Sequence, residues 1–503
     1  RDEWGYSGFV VSDWRAGIDA AAQVKAGNDI FMPGRYQYEE LIKAIKERQL
    51  DLKDVDTNVE RILKFILKTP RFRKYANSNK PNLTEHSKIA YQSAVESIVL
   101  LKNQNNALPL NQIKKVALFG KTSYSFIVGG TGSGEVNYKH AVSILEAFKK
   151  DGYQLSKPLE LVYQKFIDSI RANSTEKKKK QVVDFHDEMP ITTELIKAQE
   201  RNTDIAVITL GRSSGEGFDR TVHNDFNLTA NERDLIHKVS EAYHKVGKKV
   251  VVVLNISGVI EMNSWQNAVD AIVLSWQTGQ EGGNAVLNIL NGKESPSGKL
   301  AVSFPLKYAD VPSSDPKMFP GVPVDNPVNA LYGEGIYVGY RYYNTFNIPT
   351  AYEFGFGLSY TQFQYSDLKL SSSVFKGRVT VNVRVKNTGS VAGKEVVQLY
   401  IAAPDSQIDK PAYELKGFAK TVLLKPNESQ VLSFDISPKL IASFWSGRSE
   451  WIADKGQYEL LIGSSSKDIK LRSTFYIPTN LEVEKVNDVL YPNFFVSEIR
   501  PQK

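Results

Sequence analysis

The sequence predicts a multidomain chain: the C-terminal end of a (β/α)8-type barrel, then an α/β sandwich domain with a mostly parallel sheet, then a β-sandwich. Three observations predict it. Residues 1–75 alternate short apolar segments with amphipathic helical ones. Residues 96–330 carry continuous Val/Ile runs separated by helical stretches, as expected of strands covered on both faces. From about 366, apolar residues alternate with period two between turn signals. At 503 residues the chain is also too long for a single core.

In the first segment, Gly8–Ser12 reads as a short apolar strand that ends in Asp13. Gly17–Lys25 is an Ala-rich helix stopped by Gly27, which serves as its C′ residue. Asp29–Met32 is the next strand, broken by Pro33-Gly34. Tyr38–Lys46 and Val55–Leu67 are amphipathic helices, the second with Val59, Ile62, Leu63, Ile66 and Leu67 at helical spacing. Strand, helix, strand, helix is the grammar of a barrel. Two such units cannot close one, so the expectation is that roughly 200 residues of barrel precede Arg1, in the same chain or a second one.

Residues 76–95 are polar and read as a linker. In the α/β domain the expected strands are Val116–Phe119, Asp204–Leu210, Lys249–Asn255 and Ala271–Trp276, with Leu300–Phe304 as a fifth. Ala230–Val246 and Ala285–Leu290 are helices between them. A connector covers 331–365. The β-sandwich at 366–477 draws on Val379–Val385, Glu395–Ile401, Gln430–Ile436 and Tyr458–Ile462, and is expected to pack against the α/β domain and support it. Residues 478–503 are left as a C-terminal tail.

Composition narrows the chemistry. Hydrophobic residues make up 42% and charged residues 24%, ordinary for a globular protein. No apolar run approaches the roughly 18 residues of a membrane span, and Arg1-Asp2-Glu3 does not open a signal peptide. The net charge of +7 owes part to Lys177–Lys180, inside the polar stretch Ala172–Gln181. Without interleaved aromatics this run reads as a solvated loop, so no nucleic-acid partner is expected. There is no cysteine, which removes disulfides, thiolate metal sites and cysteine nucleophiles. Six scattered His show no metal-site spacing, and no Walker loop is present. Neither a metal nor a cofactor is expected. The absence of cysteine suits a bacterial protein but does not decide between cytoplasm and periplasm; the expected location is periplasmic or secreted.

Three places carry candidate chemistry. Asp13 stands at the C-terminal end of a barrel-like strand, the face where such folds place their active sites; it could equally cap the Ala-rich helix that follows. Trp14 beside it suits stacking on a sugar ring, or packing. Ser214-Gly215-Glu216-Gly217-Phe218-Asp219-Arg220 follows the strand Asp204–Leu210, and open α/β sheets bind ligands at that end. The two glycines free the backbone around Glu216, and an Asp219–Arg220 ion pair could hold the loop. Gly333-Glu334-Gly335 repeats the triplet, but among tyrosines and after no strand of the sheet, so Glu334 reads as structural. Gly129-Gly130-Thr131-Gly132-Ser133-Gly134 suits a close approach to phosphate or to a neutral sugar, and lacks the lysine of a phosphate loop. Two carboxylates are the equipment of glycoside hydrolysis. In a retaining enzyme they stand about 5–5.5 Å apart; here they are expected to meet in a cleft between domains.

These motifs, in this order, resemble glycoside hydrolase family 3 in its barrel, α/β sandwich and fibronectin type III-like arrangement, from Arg1 to about residue 477. GFVVSDW is similar to the family's nucleophile segment, which implies Asp13 as nucleophile and Trp14 as a substrate contact. AGNDIFMPG at 26–34 looks like the next barrel strand and its turn, although Asn28 is more often apolar in the family. ESIVLLKNQNNALPL at 96–110 resembles the entry to the sandwich domain. GGTGSG at 129–134 matches a loop that leans over the sugar, with Ser133 as the implied contact. SGEGFDR at 214–220 is similar to the acid/base loop, which implies Glu216 in that role. EGIYVGYRYY, FGFGLSYTQF at 354–363 and NTGSVAGKEVVQLYI at 387–401 look like the exit from the sandwich and the third domain. The resemblance implies an exo-acting, retaining β-glucosidase acting on an oligosaccharide or glucoside without a cofactor. The alternatives are the same fold with another glycone, such as β-xylose, or a non-catalytic carbohydrate-binding relative.

Overall fold

The computed structural model describes residues 1, 4–35, 37–173, 183–184, 186–216, 219–487 and 496–501. The lysine run at 177–180, and Gly217 and Phe218 of the Glu216 loop, lie outside them. The chain forms two compact units, Arg1–Asn82 and Leu83–Lys503.

The first unit contains β1 (Val11–Trp14), α1 (Ala20–Lys25), β2 (Ile30–Met32), α2 (Gln37–Lys46) and α3 (Leu52–Ile66). β1 and β2 pair in parallel, Val11 opposite Ile30 and Trp14 opposite Met32, so α1 is a crossover helix. The strand runs later than expected: Asp13 lies within it rather than beyond its end. The helix starts later as well. Its N-cap is Asp19, whose side chain accepts from Ala22 N. That removes the reading of Asp13 as a cap. Gly27 ends the helix at φ +89°, with its N–H on Val24 O at 2.9 Å. Asp29, its side chain fully buried, anchors the start of β2. It accepts from Val10 N at 2.7 Å, pairs with Arg61 at 3.2 Å and also binds Arg1. Val24, Ala44 and Leu50 form a small core. The apolar stripe on α3 is largely uncovered: Val59, Leu63, Phe65 and Ile66 are all exposed, and so are Val10 and Val11.

The second unit opens with a correction. The stretch expected as a linker contains α4 (Leu83–Ser97), whose Ala94 and Val95 are buried. Its polar exposed side concealed a helix that docks through Tyr91, hydrogen-bonded by Asn288 Nδ2 at 2.6 Å. There follow β3 (Val99–Asn103), β4 (Lys115–Phe119), α5 (Ile144–Lys150), β5 (Gln154–Leu155), α6 (Lys157–Asn173), α7 (Thr193–Asn202), β6 (Ile205–Arg212), α8 (Ala230–His244), β7 (Lys249–Ile256), β8 (Ala271–Leu274) and α9 (Gly282–Leu290). The six-stranded sheet has the order β3-β8-β7-β6-β4-β5. It is parallel except for β3, which runs against β8 at one edge. Alternate residues of each strand feed different cores. Ala206, Ile208, Val250 and Val252 meet Leu235 and Val239 of α8 on one face. Ile205, Val207, Val251 and Val253 meet Ile144 and Phe148 of α5 and Val286 of α9 on the other. This two-sided burial is why the strands read as unbroken Val/Ile runs.

Leu300–Phe304 is not a fifth strand of this sheet. β9 (Phe304–Pro305) pairs instead with β10 (Thr350–Tyr352), after the short helix α10 (Tyr340–Thr345). The β-sandwich begins slightly before residue 366, with β11 (Phe363–Leu370). It continues through β12 (Val379–Asn387), β13 (Val396–Ala402), β14 (Glu414–Lys420), β15 (Ser429–Ile436), a helical turn α11 (Pro438–Ile441), β16 (Ser443–Trp445), β17 (Glu450–Ala453), β18 (Gly456–Gly463), β19 (Ile469–Ile477) and β20 (Leu481–Lys485). Sheets β11-β12-β15 and β14-β13-β18-β19 are antiparallel. They enclose Val379, Val381, Val383 and Val385 with Leu399, Leu460 and Ile462. The tail needs correcting too: β20 pairs with β17, and Ile499 N donates to Gly333 O at 2.8 Å. The sandwich is tied to the α/β domain by ionic contacts. Lys394 and Lys420 converge on Glu96 of α4, and Lys299 pairs with Glu395 at 3.0 Å.

Candidate active site

In the first unit, Asp13 and Trp14 are exposed at the end of β1; Trp14 is 65% exposed. Asp13 Oδ1 accepts from Trp14 N at 2.6 Å. Two further bonds register this strand end against β2. Met32 N donates to Ser12 Oγ at 3.0 Å, and Arg15 N donates to Met32 O at 2.9 Å. Arg15 takes φ +59°, which turns the chain sharply after Asp13 and Trp14.

In the second unit, Glu216 stands on the loop that leaves β6 at the C-terminal end of the sheet. Sequence reasoning placed that loop and the glycine-rich loop separately; the structure interlocks them. Thr131 N donates to Ser214 O at 3.2 Å, and Thr131 forms a parallel bridge with Gly215. Ser133 N donates to Glu216 Oε2 at 2.9 Å. With that N–H taken by a carboxylate, the loop does not offer it to phosphate. The side of Ser133 that meets Glu216 is its main chain. A neighbouring cavity of about 520 Å³ is walled by Phe126, Gly129, Gly130, Tyr138, His140 and Arg171.

The root of the loop is held by charge. Arg212, the last residue of β6, makes a buried two-pronged pair with Glu232 of α8, at 2.5 and 2.6 Å. Glu232 is also the N3 residue of the α8 capping box with Thr229. Arg212 Nε donates to Asp225 O at 2.8 Å. Arg220 does not depend on Asp219 as expected: it grips Asp225, with Nη2 on Oδ1 at 2.8 Å and Nε on Oδ1 at 3.0 Å, and donates to Val259 O at 2.9 Å. Sequence reasoning missed Arg212, Asp225 and Glu232. Only the Thr229-x-x-Glu232 capping signature was visible beforehand, and it says nothing of an arginine partner.

Glu334 lies in the turn onto which Ile499 is strapped. Burial raises its pKa above the usual value. Deeper in the domain, burial pushes the Glu188 carboxyl up to about 7 against the opposing pull of Lys121, whose own pKa burial lowers. Asp184 is likewise pushed up to about 7 by burial. Among the described residues, no group of three or more His, Asp or Glu is placed to hold a metal ion, and no helix is long and apolar enough to cross a membrane.

Comparison with known proteins settles the family. The family model for the Glycosyl hydrolase family 3 C-terminal domain matches residues 98–340, and that for the Fibronectin type III-like domain matches 395–466. The solved structure of β-glucosidase 3B from Thermotoga neapolitana in complex with α-D-glucose superposes with a TM-score of 0.89 at 44% identity, over 96% of this chain and 68% of that one. The chain belongs to glycoside hydrolase family 3. Thermostable β-glucosidase B of Acetivibrio thermocellus is 34% identical over 96% of this chain. An exo-α-(1→6)-L-arabinopyranosidase of Bifidobacterium breve is 31% identical over 93% of it. This family 3 chain spans 61% and 59% of the length of those two curated relatives.

Proposed function

We propose that this chain carries the catalytic carboxylates of a retaining, exo-acting β-glucosidase, which releases a terminal β-D-glucosyl residue from oligosaccharides or glycosides. Asp13 is the nucleophile and Glu216 the acid/base; Trp14 contacts the sugar. The observation that carries the reading is Glu216 fixed by Ser133 N–H at the end of the sheet, in a chain 44% identical to a β-glucosidase solved with glucose.

In the reaction, the Asp13 carboxylate attacks the anomeric carbon while Glu216 gives its proton to the departing glycosidic oxygen. The glycosyl ester on Asp13 is then opened by water, whose proton returns to Glu216, and glucose leaves with its configuration retained. Two carboxylates suffice, so no metal or cofactor enters. β1 and β2 are proposed to be two strands of a larger barrel. What supports this is the bare apolar stripe of α3 and the exposed Val10 and Val11, surface that six further strand–helix units would cover. Another glycone remains the second reading, because one relative is an arabinopyranosidase.

The test uses the enzyme with its complete barrel. Asp13→Ala should abolish hydrolysis of aryl β-glucosides, and azide should partly restore turnover with inverted glycosyl azide as product. Near-normal activity in that variant would end the assignment of Asp13. Faster turnover of aryl β-xylosides or α-L-arabinopyranosides than of β-glucosides would shift the glycone and leave the mechanism standing.

A further inference from the structure

The glycine-rich loop does more than make room for a sugar. We infer that residues 130–133 and Gly215 form a clasp that positions the acid/base, and that it biases which oxygen of Glu216 carries the proton. The inference rests on the proposed role of Glu216.

Three glycines mark where the two loops touch. A Cβ on Gly132, itself at φ +67°, would lie 2.7 Å from Glu216 Cβ and 2.9 Å from Oε2. A Cβ on Gly215 would lie 1.4 Å from Thr131 Oγ1, and one on Gly130 would lie 2.9 Å from Ser214 O. The glycines are therefore required by contact with the opposite loop, not by local turns alone. Gly134 is different: a Cβ there would meet nothing within 4 Å.

The chemistry follows from the one polar contact at the tip. Ser133 N–H can only donate, and Glu216 Oε2 accepts from it at 2.9 Å. The carbonyl oxygen of a protonated carboxyl accepts better than its hydroxyl oxygen, so this contact favours the acid's hydrogen on Oε1, the oxygen left to face the leaving group. The clasp thus orients the acid and favours one donor atom. A neutral amide does this without adding a positive charge that would hold the carboxylate ionised. Gly130, Thr131, Gly132 and Gly215 are positioning residues; they act through Glu216.

The experiment compares kcat/KM for 2,4-dinitrophenyl and phenyl β-glucosides in the complete enzyme. The first leaving group needs little protonation and the second needs much, and general acid catalysis is worth about 100-fold or more. Gly132→Ala should lower kcat/KM for the phenyl glucoside about 100-fold while changing the dinitrophenyl substrate less than about fivefold, and should weaken the basic limb of the phenyl pH profile. Gly134→Ala should leave both substrates near wild type. Gly215→Ala should resemble Gly132→Ala, and adding Thr131→Gly should recover most of its loss by removing the clashing side chain. An equal fall on both substrates in Gly132→Ala, or wild-type behaviour in both Gly132→Ala and Gly215→Ala, would overturn the clasp. Glu216→Ala separates the two claims. If it shows leaving-group dependence and the glycine variants do not, only the clasp fails. If it shows none, the role of Glu216 itself fails.

Discussion

Glu232→Gln tests how the root of the Glu216 loop is held. The Arg212 and Glu232 side chains are 9% and 6% exposed, and both prongs of the pair are short. Removing the charge on Glu232 leaves a guanidinium buried beside the neutral amide, and breaking a buried pair from one side costs about 3–5 kcal/mol. The Asp225 carbonyl and its carboxylate at 3.5 Å remain to Arg212, so the low end, about 3 kcal/mol, is expected. For a domain of this size that is a fall in Tm of about 6–12 °C. Glu232→Ala should lose about 1 kcal/mol more, because Glu232 also serves the α8 capping box. Differential scanning calorimetry of the complete enzyme reads the transition. The double variant Arg212→Met/Glu232→Leu should regain most of the loss, since apolar side chains of similar volume remove both charges together. A shift below about 2 °C for Glu232→Gln would mean the pair is worth no more than an exposed one, and the account of the loop's root would be wrong.

Two further predictions concern pH. Glu188 has a raised pKa of about 7, so between its unfolded value of 4.5 and 7 the folded protein binds more protons than the unfolded chain, and stability falls as pH rises through that window. The stability of wild type relative to Glu188→Gln should drop by about 2–3 kcal/mol between pH 5 and pH 8, measured by urea denaturation; a flat difference would refute it. Glu96 has the opposite sign. Burial alone would raise its pKa, but hydrogen bonds from Lys394 and Lys420 prevail and lower it. Its contribution to docking the β-sandwich is present above the usual carboxylate range and is lost as pH falls through the depressed value. Glu96→Gln should therefore increase proteolysis at the sandwich junction near neutral pH, and the difference from wild type should vanish in acid.

The α/β sheet was legible because its physical signature is local. A strand buried on both faces favours apolar residues at successive positions, and β6 over Ile205–Ile208 and β7 over Val250–Leu254 have them. The edge strand β3 is equally buried, yet its continuation as Leu101-Lys102-Asn103 and its antiparallel pairing gave no such pattern. α4 was concealed because a helix that buries only Ala94 and Val95 along fifteen residues looks polar. β20 pairs through its backbone with a strand about thirty residues earlier, and alternating Glu residues in Leu481–Lys485 disguised it as tail. Glu216 could be picked out because glycines flank it. Its partners could not. Ser133 meets it through a main-chain N–H that any residue but proline supplies, and Asp225 is joined to Arg220 by a turn in which Asn224 takes φ +61°. Contacts made by backbone or by non-local ion pairs leave little trace in residue identity.

The two halves of that loop use different forces, and the division has a chemical reason. At the root, Arg212 and Arg220 spend full charges on Asp225 and Glu232, where strength is the only requirement. At the tip, the acid/base role proposed for Glu216 sets a different requirement. An acid that must be protonated in one step and ionised in the next cannot be gripped by a cation, because each unit of pKa lowered that way costs a factor of ten in the protonated form. Among the described residues Glu216 is met by an amide N–H and by the close approach of Gly132 and Thr131 to its own loop. Steric fit constrains both protonation states alike. The glycines follow from this choice: where charge cannot be used to hold a group in place, two backbones must come close enough to do it, and at Gly130, Gly132 and Gly215 a Cβ would meet the opposite loop.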